Sequence, residues 1–239
     1  MRIGIQTILW GRRPPDVWVM LKQAKDARYD GVEIAQHPEQ FGHARKLRDR
    51  LVDYDLGLVG LSGGALEERA AFLKEYVSLL PPAPNRLYPY LYIDGWEEPS
   101  YKEVLDDGLV LALHPHMFRR VQTANEAAEL LDEYKALWFL PDTGHLTVAG
   151  EDVVKVIEQH YPRIGAVHLK DWNAEVGRAY QFYSRGFCEL GRGDVPLDKV
   201  TDSLKNRKYD GWLIVEQDAA DDPNEAAEAS RKWLEVRGL

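Results

Sequence analysis

Short apolar runs typical of β-strands alternate with amphipathic stretches typical of α-helices along the whole sequence. The strand-like runs are Arg2–Gln6, Gly31–Ala35, Gly57–Leu61, Leu87–Ile93, Leu109–His114, Leu137–Leu140, Ile164–Leu169 and Trp212–Glu216. The helix-like stretches are Pro14–Arg28, His37–Tyr54, Ala65–Leu80, Glu97–Asp106, Thr123–Lys135, Glu151–His160, Pro196–Arg207 and Asp222–Val236. Because such alternation is typical of parallel βαβ units, the pattern predicts an α/β protein with a buried parallel sheet.

About eight strand–helix units predict a (β/α)8 TIM barrel, the simplest closed arrangement of that number. The 239 residues suffice for one such barrel, and we expect a single domain over residues 1–239. A doubly wound open sheet is the alternative, but the run Gln6–Gly11 after the first strand lacks the glycine-rich dinucleotide fingerprint. The longest irregular stretch, Trp172–Val195, predicts a loop that is either functional or disordered.

Charge and cysteine content narrow the class of protein. A net charge of −9, from 30 basic and 39 acidic residues, counts against a nucleic-acid partner because an acidic chain repels phosphate backbones. The single cysteine, Cys188, excludes an internal disulfide and is typical of a reducing compartment. The N-terminal sequence shows no secretory apolar segment and no stretch reaches 18 apolar residues, so we expect a cytoplasmic protein without a membrane partner.

Imidazole or carboxylate side chains end four consecutive predicted strands. They are His114, Asp142, His168 and Glu216. In a TIM barrel the carboxyl ends of the strands form the active site, and neighbouring strands lie about 5 Å apart. We therefore expect these four side chains to converge on one divalent metal ion. Mixed imidazole and carboxylate ligands suit Mn²⁺, Co²⁺, Zn²⁺ or Fe²⁺ better than Ca²⁺.

Further polar residues near the same strand ends are candidates for proton transfer or for contacts with substrate hydroxyl groups. They are Glu33, His116, His145 and Lys170. Structural roles compete with the functional ones, since Asp142 can cap the following helix and Glu216 can pair with Lys170. The tyrosines that alternate along the fourth predicted strand are interpreted as packing residues.

Five segments in the second half of the sequence form distinctive motifs. They are HPHMFRRVQT (His114–Thr123), DTGHLTVAG (Asp142–Gly150), VHLKD (Val167–Asp171), ELGRGDVPLD (Glu189–Asp198) and YDGWLIVEQD (Tyr209–Asp218). In this order they resemble the xylose-isomerase-like TIM-barrel superfamily, a group of sugar phosphate isomerase and epimerase type. The resemblance is greatest to its inosose dehydratase branch. It covers nearly the whole chain and is most specific from His114 to Asp218.

The resemblance implies one divalent metal ion, with Mn²⁺ or Co²⁺ first and Zn²⁺, Fe²⁺ or Mg²⁺ as alternatives. Sugar epimerases of the superfamily hold the metal with a glutamate, an aspartate, a histidine and a second glutamate. Asp142, His168 and Glu216 match the last three of these ligands. His114 stands where the first glutamate is expected, as it does in the inosose dehydratase pattern. His145, three residues after Asp142, matches a histidine that contacts substrate.

The presence of His114 affects the expected reaction, because both metal-bound glutamates shuttle a proton in the epimerases. With Glu216 as the one remaining base and His116, His145 or Lys170 as the acid, the resemblance implies a lyase. Its expected reaction is the dehydration of a keto-cyclitol or keto-sugar through an enediolate. A ketose epimerase or isomerase with the same metal site is the alternative, and a non-catalytic polyol-binding barrel is a third hypothesis.

Two basic residues are candidates for binding a phosphate group on the substrate. They are Lys170 and Arg192, and Arg192 lies within the long irregular stretch. Barrels of this superfamily often pair, so the resemblance also admits a homodimer.

Overall fold

The computed structural model describes residues 1–81, 88–96, 101–179, 183–218 and 220–239, in which eight parallel strands form one sheet. The strands in chain order are β1 (Arg2–Gln6), β2 (Gly31–Ile34), β3 (Gly57–Leu61), β4 (Tyr90–Asp94), β5 (Leu111–His114), β6 (Trp138–Phe139), β7 (Ala166–Leu169), β8 (Asp171–Trp172), β9 (Phe187–Cys188) and β10 (Trp212–Val215). The sheet order is β6-β5-β4-β3-β2-β1-β10-β7, while β8 and β9 form a separate antiparallel hairpin. Parallel bridges from Phe139 to Ile164 and from Asp142 to His168 join the outer strands. The predicted (β/α)8 barrel is therefore confirmed.

Helices follow the strands and cover the outside of the barrel. They are α1 (Val17–Asp26), α2 (Ala44–Asp53), α3 (Leu66–Ser78), α4 (Tyr101–Asp106), α5 (Ala124–Glu133), α6 (Thr143–Val148), α7 (Val153–His160), α8 (Ala174–Ala179), α9 (Leu197–Asn206) and α10 (Pro223–Val236). The start of the predicted strand Leu87–Ile93 and the first four residues of the predicted helix Glu97–Asp106 lie outside the described residues. Within the described part of the chain, none of these helices is long and apolar enough to cross a bilayer.

Side-chain caps decide where several helices begin. The sequence predicted the first helix from Pro14, but α1 begins at Val17 because the Asp16 carboxylate accepts bonds from the amides of Trp18 and Val19. A capping box begins α5, with Thr123 and Glu126 each bonded to the backbone of the other.

The single helix predicted over His37–Tyr54 is wrong, because it is two elements. Pro38–Phe41 form a 3₁₀ turn, and α2 starts only at Ala44. Gly42 lies between them with φ of 75°, a left-handed conformation that favours glycine and interrupts a helix.

The barrel interior has its own core, separate from the larger core between the sheet and the helices. Its members include Val59, Tyr90, Ala112, Leu140, Ala166 and Trp212. Trp212 begins β10 and fills the amino-terminal end of the barrel, where a Cβ on Gly31 would lie 2.7 Å from its ring. Because apolar side chains fill the barrel below, polar chemistry is confined to its carboxyl-terminal end.

The stretch Trp172–Val195, predicted as one irregular loop, contains regular elements instead. It contains α8, a 3₁₀ turn over Tyr183–Gly186, and strand β9, which pairs with β8. Two-residue strands are too short to carry an alternating pattern, so the sequence did not indicate them.

The buried Asp171 carboxylate fixes the return of this hairpin to the barrel. It accepts hydrogen bonds from the amides of Gly191 at 2.8 Å, Gly193 at 2.9 Å and Val195 at 3.2 Å. A Cβ on Gly193 would lie 2.3 Å from the Asp171 carboxylate, so glycine is required there. The two glycines of the motif ELGRGD therefore allow the backbone of this loop to pack closely around the Asp171 carboxylate.

Candidate metal centre

Strand alternation brings polar side chains to one point inside the barrel. On β10 and its continuation, Trp212, Ile214 and Glu216 share one face; Trp212 and Ile214 belong to the interior core. The same alternation places His168 two residues after Ala166 and His114 two residues after Ala112, both of them interior positions. Polar residues therefore replace apolar ones as each of these strands reaches the carboxyl-terminal end.

The four predicted metal ligands lie together. His114, Asp142, His168 and Glu216 each offer one ligand atom, and these atoms all lie within 4.8 Å of one another. The first three side chains are fully buried and Glu216 is 4% exposed. Ligand atoms around a single ion are about 3–4 Å apart, so the separations fit one metal ion after a small contraction.

The two histidines of the cluster are oriented by partners on the side away from it. His168 Nε2 lies 3.1 Å from a carboxylate oxygen of Glu33, which leaves Nδ1 to face the cluster. His114 Nδ1 lies 2.9 Å from the Tyr92 hydroxyl, and its Nε2 lies 3.3 Å from Asp142 Oδ2. Partners of this kind fix the ring orientation of metal-binding histidines.

In each of the two carboxylates, Asp142 and Glu216, one oxygen bonds to a neighbouring group and the other faces the cluster. Asp142 Oδ1 accepts the amide of His145 at 2.7 Å and caps α6, while Oδ2 faces the histidines. Glu216 Oε1 accepts from Lys170 Nζ at 2.8 Å, while Oε2 contacts His168 Nδ1. Both structural roles that compete with metal binding are thus present, but each uses only one oxygen of its carboxylate.

Two buried atoms of the cluster are left without hydrogen bonds. Among the described residues, His168 Nδ1 and Glu216 Oε2 have no hydrogen-bond partner although they touch each other. Buried polar atoms are normally satisfied, so an unsatisfied pair that faces two further ligand atoms fits a divalent cation. The donor set of two imidazoles and two carboxylates fits the same conclusion.

Charges around the cluster shift its pKa values. Burial alone raises the pKa of the Glu216 carboxyl, but the neighbouring Lys170 and His168 outweigh it and hold that pKa well below its usual range. Burial alone lowers the pKa of Lys170, but Asp218 and Glu216 outweigh it and raise the pKa above its ordinary value. Glu216 is therefore an anion and Lys170 a cation at neutral pH, which suits a carboxylate ligand held by an ammonium group.

Lys170 and His145 form a buried pair beside the cluster. Lys170 Nζ lies 3.3 Å from His145 Nε2 and 4.3 Å from the ring centroid of Phe187. Burial first, and the Lys170 charge second, lower the pKa of His145 well below its ordinary value. His145 is therefore neutral, and its buried Nδ1 makes no hydrogen bond with any residue that the structure describes.

His116 differs from the other histidines because it lines an open cavity. Its Nδ1–H donates to the Met117 carbonyl at 2.7 Å, which fixes the tautomer and leaves the lone pair on Nε2. Burial lowers the pKa of His116 below its ordinary value. The ring is therefore neutral at neutral pH and lies 4.0 Å, centroid to centroid, from His145.

A cavity of about 320 Å³ opens beside the cluster. Its lining includes Gln6, Tyr92, Asp94, His116, Glu216 and Asp218. Three arginines, Arg12, Arg69 and Arg119, line it as well. This volume lies at the lower end of the range for small-molecule sites, which suits a ligand of monosaccharide size.

The candidate residues that do not line this cavity are Glu33, His145, Lys170 and Arg192. Glu33 is fully buried behind His168, where its carboxylate accepts from Gln6 Nε2 at 2.7 Å and from the Tyr90 hydroxyl. Its contact with substrate stays a prediction, and its position beside Nε2 suits the orientation of the His168 ring. The Arg192 side chain is 69% exposed, is paired with Glu189 at 3.8 Å and does not line the cavity.

The sequence did not single out Asp94 or Tyr92, which both line the cavity. Asp94 ends β4, and its carboxylate lies 3.7 Å from His114 Nδ1 and 3.4 Å from Arg119 Nε. The tyrosines of β4, interpreted as packing residues, also bond to Glu33 and to His114. The signal that could have found them is the same alternation, which places positions 90, 92 and 94 on the interior face.

Comparisons with known proteins agree with the fold and with the resemblance noted in the sequence. Residues 93–236 match the family model described as xylose isomerase-like TIM barrel. An inosose dehydratase of Bacillus anthracis is 33% identical over 146 residues, which are 55% of this chain and 49% of that protein. An inosose dehydratase of Clostridium perfringens is 32% identical over the same length. The chain spans about half the length of the curated relatives it matches.

Solved structures share the fold at low sequence identity. The probable 3-DHS dehydratase AsbF of Bacillus anthracis superposes with a TM-score of 0.70 at 16% identity, covering 98% of this chain and 99% of that one. The 3-keto-D-glucoside 4-epimerase YcjR of E. coli gives 0.73 at 16% identity, with 99% of each chain covered. The IOLI protein with a bound zinc atom gives 0.72 at 15%, covering 97% and 96%. The family match extends over more than half of the sequence, and this chain therefore belongs to the xylose isomerase-like TIM-barrel family.

Proposed function

We propose that this protein is a divalent-metal-dependent lyase that removes water from a keto-cyclitol or keto-sugar. The observation that carries the proposal is the placement of His116, which lines a cavity beside a buried metal-type cluster and keeps the lone pair of its neutral ring on Nε2. The similarity to inosose dehydratases supports the reaction class. A metal ion held by His114, Asp142, His168 and Glu216 would polarise the substrate carbonyl and stabilise the negative charge that develops on its oxygen.

His116 is the best placed group to remove the proton next to the carbonyl. Glu216, the predicted base, is held through Oε1 by Lys170, and its Oε2 faces the metal-type cluster, so a bound metal ion would leave it no oxygen for a substrate proton. His116 is neutral, has its lone pair on Nε2, and has its other nitrogen fixed by Met117. An imidazole of this kind can take the proton from carbon and then, as imidazolium, return it to the departing hydroxyl group as water forms.

Lys170 and His145 are proposed to assist this step by holding Glu216 and by binding a substrate hydroxyl group. Lys170 holds Glu216 Oε1 at 2.8 Å, so that Oε2 is left for the metal. His145 offers a buried Nδ1 that makes no hydrogen bond with the described residues, and a substrate hydroxyl group is a suitable partner for it. The Phe187 ring packs against both of these buried side chains.

An epimerase is the second candidate because of Asp94. Epimerisation needs a second proton-transfer group, and Asp94 is a carboxylate that lines the same cavity as His116. Burial alone raises the pKa of Asp94, but the neighbouring His114, His116 and Arg119 outweigh it and lower that pKa, so the group is ionised at neutral pH. It is therefore also able to accept a proton.

Product mass separates these candidates. Metal-loaded protein is incubated with a panel of inososes and ketoses, and each product is analysed by mass spectrometry. Loss of one water supports the lyase, whereas an unchanged mass with an altered stereocentre supports the epimerase. No turnover with any metal would favour the non-catalytic polyol-binding barrel.

The role of His116 is tested in the same assay. His116→Asn should lower kcat by about 10²- to 10⁴-fold, the usual contribution of a general base, while the bound metal is retained. His43→Asn, at an exposed histidine of the α2 surface, is the matched control and should keep full activity. Equal activity of the two variants would exclude His116 as the base.

A further inference from the structure

Two of the four cations around the cavity, Arg119 and Lys170, are already matched by carboxylates. Arg119 Nε lies 3.4 Å from Asp94, and Lys170 lies within 3.3 Å of both Glu216 and Asp218. These contacts balance charge within the protein, so neither side chain offers an uncommitted positive charge to a ligand. Arg69 is a buried third cation and donates to backbone carbonyls, at 2.6 Å for the one on Tyr92.

Arg12 is the exception among these side chains. It lines the same cavity as His116 and Glu216, and it is exposed. Its guanidinium group makes no hydrogen bond or ion pair with any residue in the described ranges. A cation in this position raises the electrostatic potential of the cavity, because no carboxylate of the described residues is paired with it.

The backbone that carries Arg12 is held in place by two glutamines. The buried Gln36 amide donates to the Gly11 carbonyl at 2.7 Å and to the Thr7 carbonyl at 3.1 Å. The Gln40 amide donates to the carbonyl of Arg12 itself at 3.1 Å. The turn is therefore preorganised, so less backbone conformational entropy is lost when a ligand binds to the Arg12 side chain.

We infer that the substrate carries an anionic group, a carboxylate or a phosphate, and that Arg12 binds it within the cavity. This inference rests on the proposed function, since it assigns the substrate class of the same site. A guanidinium group binds either anion through paired N–H donors. The ligand would then be a cyclic or open-chain polyol ketone with one acidic substituent.

Binding of unreactive polyols tests the inference. The probes are myo-inositol, which is neutral, quinate, which carries a carboxylate, and myo-inositol 1-phosphate. Each is titrated by calorimetry into Mn²⁺-loaded protein at low ionic strength. The variants are Arg12→Gln, Arg12→Lys and, as matched control, Arg13→Gln, which removes the same charge from a neighbouring exposed residue that does not line the cavity.

The wild-type protein should bind at least one of the two anions about tenfold or more tightly than myo-inositol, as expected for hydrogen bonds to a charged group. Arg12→Gln should abolish that preference, Arg12→Lys should retain part of it, and Arg13→Gln should leave it unchanged. Whether quinate or the phosphate is preferred identifies the anion.

Three results would overturn the inference. One is equal binding of myo-inositol and both anions by the wild type, and the second is equal effects of Arg12→Gln and Arg13→Gln. The third is failure of both anions to bind the wild type at all. None of these results requires turnover, so a protein that fails to dehydrate any inosose can still confirm or refute the role of Arg12.

Discussion

The orientation of His168 depends on one buried carboxylate, Glu33. One carboxylate oxygen of Glu33 accepts a hydrogen bond from His168 Nε2 at 3.1 Å. The other oxygen accepts one from Gln6 Nε2 at 2.7 Å. The Tyr90 hydroxyl bonds to the same carboxylate and completes its set of partners. The imidazole is therefore held with Nε2 protonated and Nδ1 available as a ligand atom, and we propose Glu33 as a positioning residue for the metal site.

Glu33→Gln should weaken Mn²⁺ binding by about ten- to a hundredfold, because an amide presents one acceptor fewer to His168, Gln6 and Tyr90. Isothermal titration of metal-free protein measures the change directly. Glu39→Gln, at an exposed glutamate of the following turn, is the control and should bind Mn²⁺ as the wild type does. Unchanged affinity in Glu33→Gln would remove the orienting role.

Cys188 is an inert thiol at neutral pH. Burial, with the charges of Asp171 and Glu189, raises the pKa of the Cys188 thiol to about 12. A higher pKa leaves less thiolate but makes that thiolate more nucleophilic, so alkylation by iodoacetamide at pH 7.5 should be roughly 30-fold slower than in unfolded protein. The rate should rise continuously as pH increases toward 12. A rate equal to that of the unfolded chain would contradict this account.

At the scale of elements, the β8–β9 hairpin depends on Asp171. Three amides of the following loop donate to this one buried carboxylate. The hairpin in turn carries Phe187, whose ring lies 5.3 Å from that of His145. Loosening the loop would therefore uncover the Lys170–His145 pair.

Asp171→Asn should speed hydrogen exchange at the amides of Gly191, Gly193 and Val195 by roughly tenfold or more, since bonds to a charged acceptor are lost or weakened. Exchange followed by mass spectrometry reports this segment separately. Asp198→Asn, which affects a more exposed carboxylate paired with Arg237, should leave those amides protected. Equal exchange in both variants would show that Asp171 does not hold the loop.

Elements with a strong periodic pattern were predictable from the sequence, and short ones were not. The capping box at Thr123 and the long α10 follow from local chemistry alone. The break in the predicted helix His37–Tyr54 depends on a single left-handed glycine, Gly42, which charge and apolar periodicity do not reveal. Hairpin β8–β9 is stabilised by a buried aspartate rather than by its own pattern.

For the whole molecule, the barrel explains why strand ends sufficed to predict the site. Parallel closure brings the carboxyl ends of all strands to one face, so His114, Asp142, His168 and Glu216 meet although 102 positions separate the first from the last. Glu33 and Asp94 could not be assigned in this way, because their roles depend on which interior neighbour each contacts. Packing of side chains across the barrel interior determines which neighbour each of them contacts.

That residues 1–239 form a single domain remains a prediction. Thermal unfolding followed by calorimetry should show one cooperative transition, because one interior core and one surrounding core run through the described barrel. Two separated transitions would indicate independent units and contradict the single-domain assignment.

The central claim is that four convergent side chains hold one divalent metal ion, and metal content tests it most directly. Protein reconstituted with Mn²⁺, then desalted and analysed by elemental mass spectrometry, should carry close to one equivalent. His168→Ala should lose nearly all of it, whereas His160→Ala, at a histidine packed on Phe139 outside the cluster, should retain it. Equal metal content in the wild type and His168→Ala would contradict the ligand set and, with it, the proposed chemistry.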